Sequence, residues 1–207
     1  MQITKALVES SRILFIDTET TGLEQHVDIP IELGWCLIVN GVATESGTRF
    51  LKASCLRDEQ PGDGTLTQRF IDHMRQVEPI NHITPDMLEN GCTLEEAIAG
   101  LPAADYYAAH NAPYDRGMIR PHFAEESWID TKTEATRILG VVRRETSLSK
   151  VAAKLGINIT ETLHRADADC RLGAEVLIRL AQEDWKKMER LLEPTLVVVS
   201  PDAPVSE

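Results

Sequence analysis

Apolar residues come along this chain first in short unbroken runs and later at helical spacing. Ile13-Leu14-Phe15-Ile16 is such a run and ends on Asp17, which predicts a buried strand over residues 12–17. Ile31 to Val39 predicts a second strand and Val42 to Leu51 a third, because Asn40-Gly41 between them supplies the positive-φ pair of a tight hairpin. Residues 53–64, ASCLRDEQPGDG, are dense in turn formers and predict a loop. Beyond it, Phe70, Ile71, Met74 and Val77 share one face of a helix expected over Leu66 to Val77. Thr84-Pro85 opens a short helix, and Thr93-Leu-Glu-Glu caps another that ends near Gly100. Tyr106 to Ala109 predicts a short buried strand, Pro113 a helix through Ile119, and Trp128 to Asp130 a brief last strand. Helices are expected at Lys132 to Leu139, Leu148 to Leu155 and Ala166 to about Glu183. Strands first and βα alternation afterwards predict an α/β fold: a mixed sheet with three antiparallel N-terminal strands, then βα units, with helices on both faces. Residues 1–193 are expected to form one domain and 194–207 a mobile tail, in which Leu196 to Val199 offers an edge strand.

Composition narrows this picture. With 207 residues, 43% of them hydrophobic, the chain can bury one substantial core. Cys36, Cys55, Cys92 and Cys170 are widely spaced and form no Cys-x-x-Cys pair, so reduced thiols in a cytoplasmic protein are expected. The N-terminus lacks the pattern of a secretory leader, and no apolar run is long enough to span a bilayer, so no membrane partner is expected. The formal charge of −12 argues against wrapping long duplex. Residues 131–165, however, hold seven basic side chains against three acids, a local +4. That stretch suits a grip on a short strand end, and it equally suits an ordinary solvated helical surface.

The candidate chemistry begins at "FIDTETTG", residues 15–22. Residues two apart on a strand point to one side, so Asp17 and Glu19 would stand side by side and each would hold its proton too readily. Either both acids are solvated in a turn, or a divalent cation sits between them. "HNAPYD" at 110–115 places Asp115 in the first turn of a helix that follows a strand end. "HRADAD" at 164–169 places His164 just before a helix and Asp169 in its early turns, so a bend there lets the two converge. Each stretch alone fits a helix cap. Together they offer four carboxylates and one imidazole. Oxygen-only ligands select magnesium or manganese, and two such ions roughly 3.5–4 Å apart can serve an in-line phosphoryl displacement. Histidine, titrating near pH 6.5, is suited to accept the attacking water's proton.

The ordered set DTET, HNAPYD and HRADAD resembles the three motifs of the DEDDh family of 3′–5′ exonucleases, which have a ribonuclease H-like fold. Lesser matches are TTGLE followed by PIELG, then INHITPDML at 80–88, IDTKTEATRILG at 129–140 and LSKVAAKLGI at 148–157. The resemblance covers roughly residues 12–183, and within the family it is greatest to the small bacterial exonucleases and to proofreading subunits of replicative polymerases. It implies that Asp17 bridges two metals, Glu19 and Asp169 complete the first site, Asp115 holds the second through water, and His164 is the general base. A tyrosine subclass carries its phenol one residue nearer the last aspartate, where this chain has Arg165. Leu23 would wedge against the terminal base, and Thr20, Asn81, His110 and Asn111 would be further substrate contacts. Two positions depart from the family pattern: Tyr114 stands where phenylalanine is usual, and Asn81-His82 where histidine is often followed by glycine. The implied activity is release of nucleoside 5′-monophosphates from single-stranded or frayed 3′ ends with two Mg2+ or Mn2+ ions. DNA is the expected substrate and RNA the alternative, with a polymerase or repair protein as a possible partner. A haloacid-dehalogenase-type phosphatase would leave HNAPYD unexplained, and a non-catalytic binding subunit would not need all five chemical positions.

Overall fold

The computed structural model describes residues 1–60, 62–120, 122–123, 126–160 and 164–192. The expected tail and its edge strand lie outside the described residues. Strands β1 (Arg12–Thr20), β2 (Pro30–Val39), β3 (Val42–Phe50), β4 (Tyr106–Ala109) and β5 (Trp128–Asp130) form one sheet in the order β3-β2-β1-β4-β5. The first three are antiparallel neighbours, while β4 and β5 run parallel to β1. Asn40 and Gly41 turn the β2–β3 hairpin with φ of 50° and 79°, the mirror-image turn that suits the twist of paired strands. Around the sheet lie α1 (Lys5–Ser10), α2 (Gln68–Asn81), α3 (Pro85–Leu88), α4 (Leu94–Ala99), α5 (Ala112–Met118), α6 (Thr131–Leu139), α7 (Leu148–Lys154) and α8 (Ala166–Leu192). The α/β class and the mixed sheet with helices on both faces are as the sequence pattern predicts.

Alternation along β1 builds both faces. Ile13 and Phe15 are buried with Cys170, Ala174 and Leu177 of α8, Ile138 of α6 and Val151 of α7. Leu14 and Ile16 point the other way, into a cluster with Ala112 of α5, Ile119 just after it, Ala97 of α4 and Trp128. All four β1 side chains are fully buried, and each contributes roughly 1.5–3 kcal/mol, so β1 is held from both sides. A third cluster, Ile31, Leu56, Phe70, Met74, Ile83 and Leu88, seats α2 and α3 beside the end of β2.

Five departures from the sequence pattern matter. β1 runs three residues past Asp17, because pairing with β2 continues through Asp17↔Gly34 and Glu19↔Glu32 before a register shift at Glu19/Thr20. α2 starts at Gln68 and continues through Pro79 to Asn81. The proline costs one helical bond, yet the His82 amide closes the end onto Glu78 O, with His82 itself left-handed at φ 58°. α1 was not expected: Thr4 caps it by accepting from Leu7 N, and Ile3 and Val8 anchor it in the core. α8 runs nine residues beyond the expected end, and a 3-10 turn at Arg143–Glu145 precedes α7. All four cysteines are free, and no helix among the described residues is long and apolar enough to cross a membrane.

Gly34 sets how closely α8 approaches the sheet. A Cβ there would lie 2.4 Å from the carbonyl carbon and oxygen of Ala166, backbone atoms that cannot swing aside. Gly34→Ala should therefore push the first turn of α8 off β2 and lower stability by about 1–3 kcal/mol. Urea denaturation checks this; a variant as stable as the parent would show that the contact is slack.

Candidate active site

Asp17 and Glu19 continue the β1 face on which Ile13 and Phe15 meet α8, just beyond the apolar residues. The missing side chain at Gly34, opposite Asp17, lets Ala166 reach the sheet, and Asp169 follows one turn later. As a result, ligand oxygens of Asp17, Glu19 and Asp169 all lie within 4.8 Å of one another. Both β1 acids are thus strand residues, not members of a solvated turn. Asp115 comes from α5, on the opposite face. It is 3% exposed, and its Oδ1 accepts from the Thr18 amide at 3.0 Å and from Thr18 Oγ1 at 2.9 Å. Thr18 points away from Asp17 and Glu19, so one tripeptide of β1 serves acids on both sides of the sheet.

His164 is exposed and left-handed at φ 68°, and its amide donates to Asp169 Oδ2 at 3.0 Å. The bend ahead of α8 does bring the HRADAD histidine and aspartate together. Leu23 is 84% exposed on the loop after β1. Asn81 is only 2% exposed. Its Oδ1 accepts from the Ile83 amide at 3.1 Å, and its side chain lies near enough to Glu19 to lower that acid's pKa against the raising effect of burial. Thr20 Oγ1, the Tyr114 hydroxyl and the Gly22 carbonyl lie 2.7–2.8 Å apart, so Thr20 and Tyr114 brace the loop that carries Leu23. His110 is engaged at both ring nitrogens, Nδ1 with Thr131 Oγ1 at 3.0 Å and Nε2 with the Thr146 carbonyl at 2.6 Å. Asn111, at φ 96°, starts α5 and donates its amide to Asp130 Oδ1 at 3.0 Å.

Burial and mutual repulsion dominate the electrostatics of the four acids. Burial, then Asp115, Asp169 and Glu19, push Asp17 well above the carboxylate range. Burial, then Asp169 and Glu32, raise Glu19 to about 7. Asp115 is also raised to about 7, by burial, against the lowering effect of its Thr18 bonds. Burial raises Asp169 too, offset in part by the His164 amide and the nearby imidazole. Among the described residues no lysine or arginine forms an ion pair with any of the four. An all-oxygen cluster that holds its protons near neutrality for want of positive charge fits a hard divalent cation.

The residues that sequence reasoning passed over are Thr18, Glu32 and Asp28. Asp28 is buried and accepts from Thr21 Oγ1 and the Glu24 amide while meeting His73 Nδ1 at 2.8 Å, which fixes the base of the Leu23 loop. Glu32 carried a signal, a charged residue inside the apolar run of PIELGWCLIV.

No protein-family model matches the chain. It is 30% identical over 184 residues to the PolC-type DNA polymerase III of Thermotoga petrophila, which covers 84% of this chain and 12% of that protein. The Thermotoga maritima counterpart is 31% identical over 177 residues, with 81% and 12% covered. The chain thus spans about an eighth of these relatives. Among solved structures, exonuclease X in complex with 5′-overhanging duplex DNA superposes with a TM-score of 0.62 at 24% identity, covering 82% of this chain and 91% of that one. The nuclease domain of 3′hExo, a DEDDh family member bound to rAMP, gives 0.60 at 17% identity over 83% and 92% of the two chains. E. coli exonuclease I in complex with a dT13 oligonucleotide gives 0.62 at 17% identity over 88% and 43%.

Because the folded-state pKa values of Glu19 and Asp115 stand near 7, above ordinary values of 4.5 and 3.8, their stabilising contribution is complete below the ordinary values. It is lost as pH rises through about 7. In chelator, the melting temperature should therefore climb as pH falls from about 8 to about 5. Asp17→Asn should raise the melting temperature at pH 8 and flatten this dependence, and manganese should restore stability to the parent at pH 8. Equal pH profiles for parent and variant would contradict the repulsion.

Proposed function

We propose that this chain, a DEDDh-type member of the ribonuclease H-like fold, is a two-metal-ion 3′–5′ exonuclease that releases nucleoside 5′-monophosphates, acting first on DNA. The observation that carries this reading is the carboxylate cluster of Asp17, Glu19 and Asp169, with Asp115 raised beside it and no lysine or arginine among the described residues ion-paired to any of the four. Bound divalent cations would supply the Lewis acidity that lowers the attacking water's pKa and stabilises the leaving oxygen. In this reading Asp17, Glu19 and Asp169, with Asp115 beside them, would hold the ions.

The chain's own residues supply the rest. His164, exposed beside Asp169, takes the proton of the attacking water as general base. Leu23, on its braced loop, packs against the terminal base and admits a free end. Asn81 steadies Glu19, and His110 and Asn111 shape the wall at the end of β4. His110 also ties that wall to Thr146, and the same segment carries Arg143, Arg144, Lys150 and Lys154, all exposed. In a chain of net charge −12 this is the face suited to the phosphates of a single strand running into the site. A DNA substrate agrees with the similarity to exonuclease X, and RNA remains the alternative because a histone mRNA stem-loop 3′-exonuclease shares the fold at 17% identity and a TM-score of 0.61. Rates on matched single-stranded DNA, single-stranded RNA and mismatched duplex ends decide between them.

His164→Ala should cost about 10²- to 10⁴-fold in turnover at saturating manganese, with manganese affinity retained because the carboxylates hold the ion. The parent's rate should rise with pH and then level off, and the variant should lose that step. A variant with full turnover and the parent's pH profile would make His164 a structural bend residue.

A covalently closed single-stranded circle should resist cleavage, and its linear counterpart should be shortened from the 3′ end only. Release of internal fragments from the circle would make the enzyme an endonuclease. Replacing Arg143 and Arg144 by serine should weaken strand binding evenly across sequences and reduce the salt dependence by roughly 0.7 log units per lost phosphate contact. An unchanged slope would place the strand elsewhere.

A further inference from the structure

Glu32 is fully buried near the start of β2, directly opposite Glu19. Its carboxylate collects four donors. Arg165 Nη2 lies at 2.8 Å, Arg165 Nε at 3.3 Å, the Ala166 amide at 3.1 Å and Thr48 Oγ1 at 3.0 Å. The Arg165 guanidinium also stands 5.3 Å from the centre of the Phe50 ring. These contacts converge on the junction where the chain leaves the left-handed His164 and enters α8. Gly34, two residues along β2, gives the Ala166 backbone its seat.

A buried ion pair is a weak source of stability, since well-packed apolar residues of similar volume often do as well. What this pair does is geometric. Arg165 is gripped through its side chain and Ala166 through its amide, so the two residues that follow His164 are tied to the strand facing Glu19. A non-glycine residue in the left-handed region pays a conformational cost and persists only where its surroundings hold it. Arg165 occupies the position at which a tyrosine subclass would carry its phenol, and here it turns back to Glu32.

We propose that the Glu32–Arg165 pair is a positioning clamp for the catalytic end of α8, fixing the bend so that His164 and Asp169 face Asp17 and Glu19. This rests on the exonuclease reading for its kinetic consequence, while the clamp itself can be read without any turnover.

The experiment compares Arg165→Ala, Arg165→Lys, Glu32→Gln and the double variant Glu32→Gln/Arg165→Ala, each assayed well below its melting temperature. Loss of residues that orient metal ligands typically costs about 10- to 100-fold. Arg165→Ala and Glu32→Gln should each lose kcat on that scale, with KM nearly unchanged. Arg165→Lys should recover part of the loss, and the double variant should be no worse than the poorer single one, because both remove the same contact. Independently of turnover, hydrogen exchange at the Ala166 amide should quicken in Arg165→Ala and Glu32→Gln. If Arg165→Ala does not fold, the near-isosteric Glu32→Gln carries the comparison. A folded variant with full kcat, additive losses in the double variant, or an unchanged Ala166 exchange rate overturns the clamp. If the parent releases no nucleotide, the exonuclease reading fails, and the exchange rates alone decide the clamp.

Discussion

Four carboxylates converge at the end of β1 with no lysine or arginine among the described residues ion-paired to any of them, and much of the structure around them serves to keep them there. Three of them stand within ligand distance of one another, and burial together with mutual repulsion raises all four. Left to themselves such groups protonate or move apart. Here they cannot move apart, because each is carried by an element whose apolar side is locked in a core. Asp17 and Glu19 extend a strand buried on both faces, Asp169 rides on the helix that covers Phe15, and Asp115 sits on a helix anchored through Ala112 and Ile119.

The rest of the local architecture makes this convergence possible. Period-two alternation sends Asp17 and Glu19 toward α8 while Thr18 turns to Asp115. Gly34 removes the side chain that would keep α8 away, and Glu32 fills the neighbouring position with a carboxylate that grips the start of the helix. Asp28 with His73, and Thr20 with Tyr114, hold the loop from which Leu23 projects. Rigid elements thus carry the acids, and braced loops carry the residues proposed to touch substrate.

Most of the sheet is legible in the sequence because strand alternation and the Asn40-Gly41 turn are local signals. The chemical residues are legible for a different reason: acids at the ends of apolar runs conflict with burial, and the conflict marks them. The features that stay hidden depend on tertiary partners. α1 is too short to declare itself until Ile3 and Val8 find the core. Pro79 suggests a helix end that the structure overrides, and only because α2 runs on does Asn81 arrive beside Glu19. The resemblance names His110 as a substrate contact, yet its two ring nitrogens are taken by Thr131 and Thr146, partners 21 and 36 residues away in sequence. Glu32 shows itself as a charge in an apolar run, but nothing local reveals that Arg165 answers it.

In the proposed enzyme the acids of β1, α5 and α8 form one site completed by divalent cations. Calorimetric titration of manganese into the metal-free protein near pH 7, repeated in buffers of different ionisation enthalpy, tests this most directly. Cation uptake should saturate, should expel protons because Glu19 and Asp115 titrate near 7, and should be abolished by Asp17→Asn. Failure to bind manganese, or binding that releases no protons and survives the loss of Asp17, would contradict the account and leave the four acids as a hydrogen-bonded structural cluster.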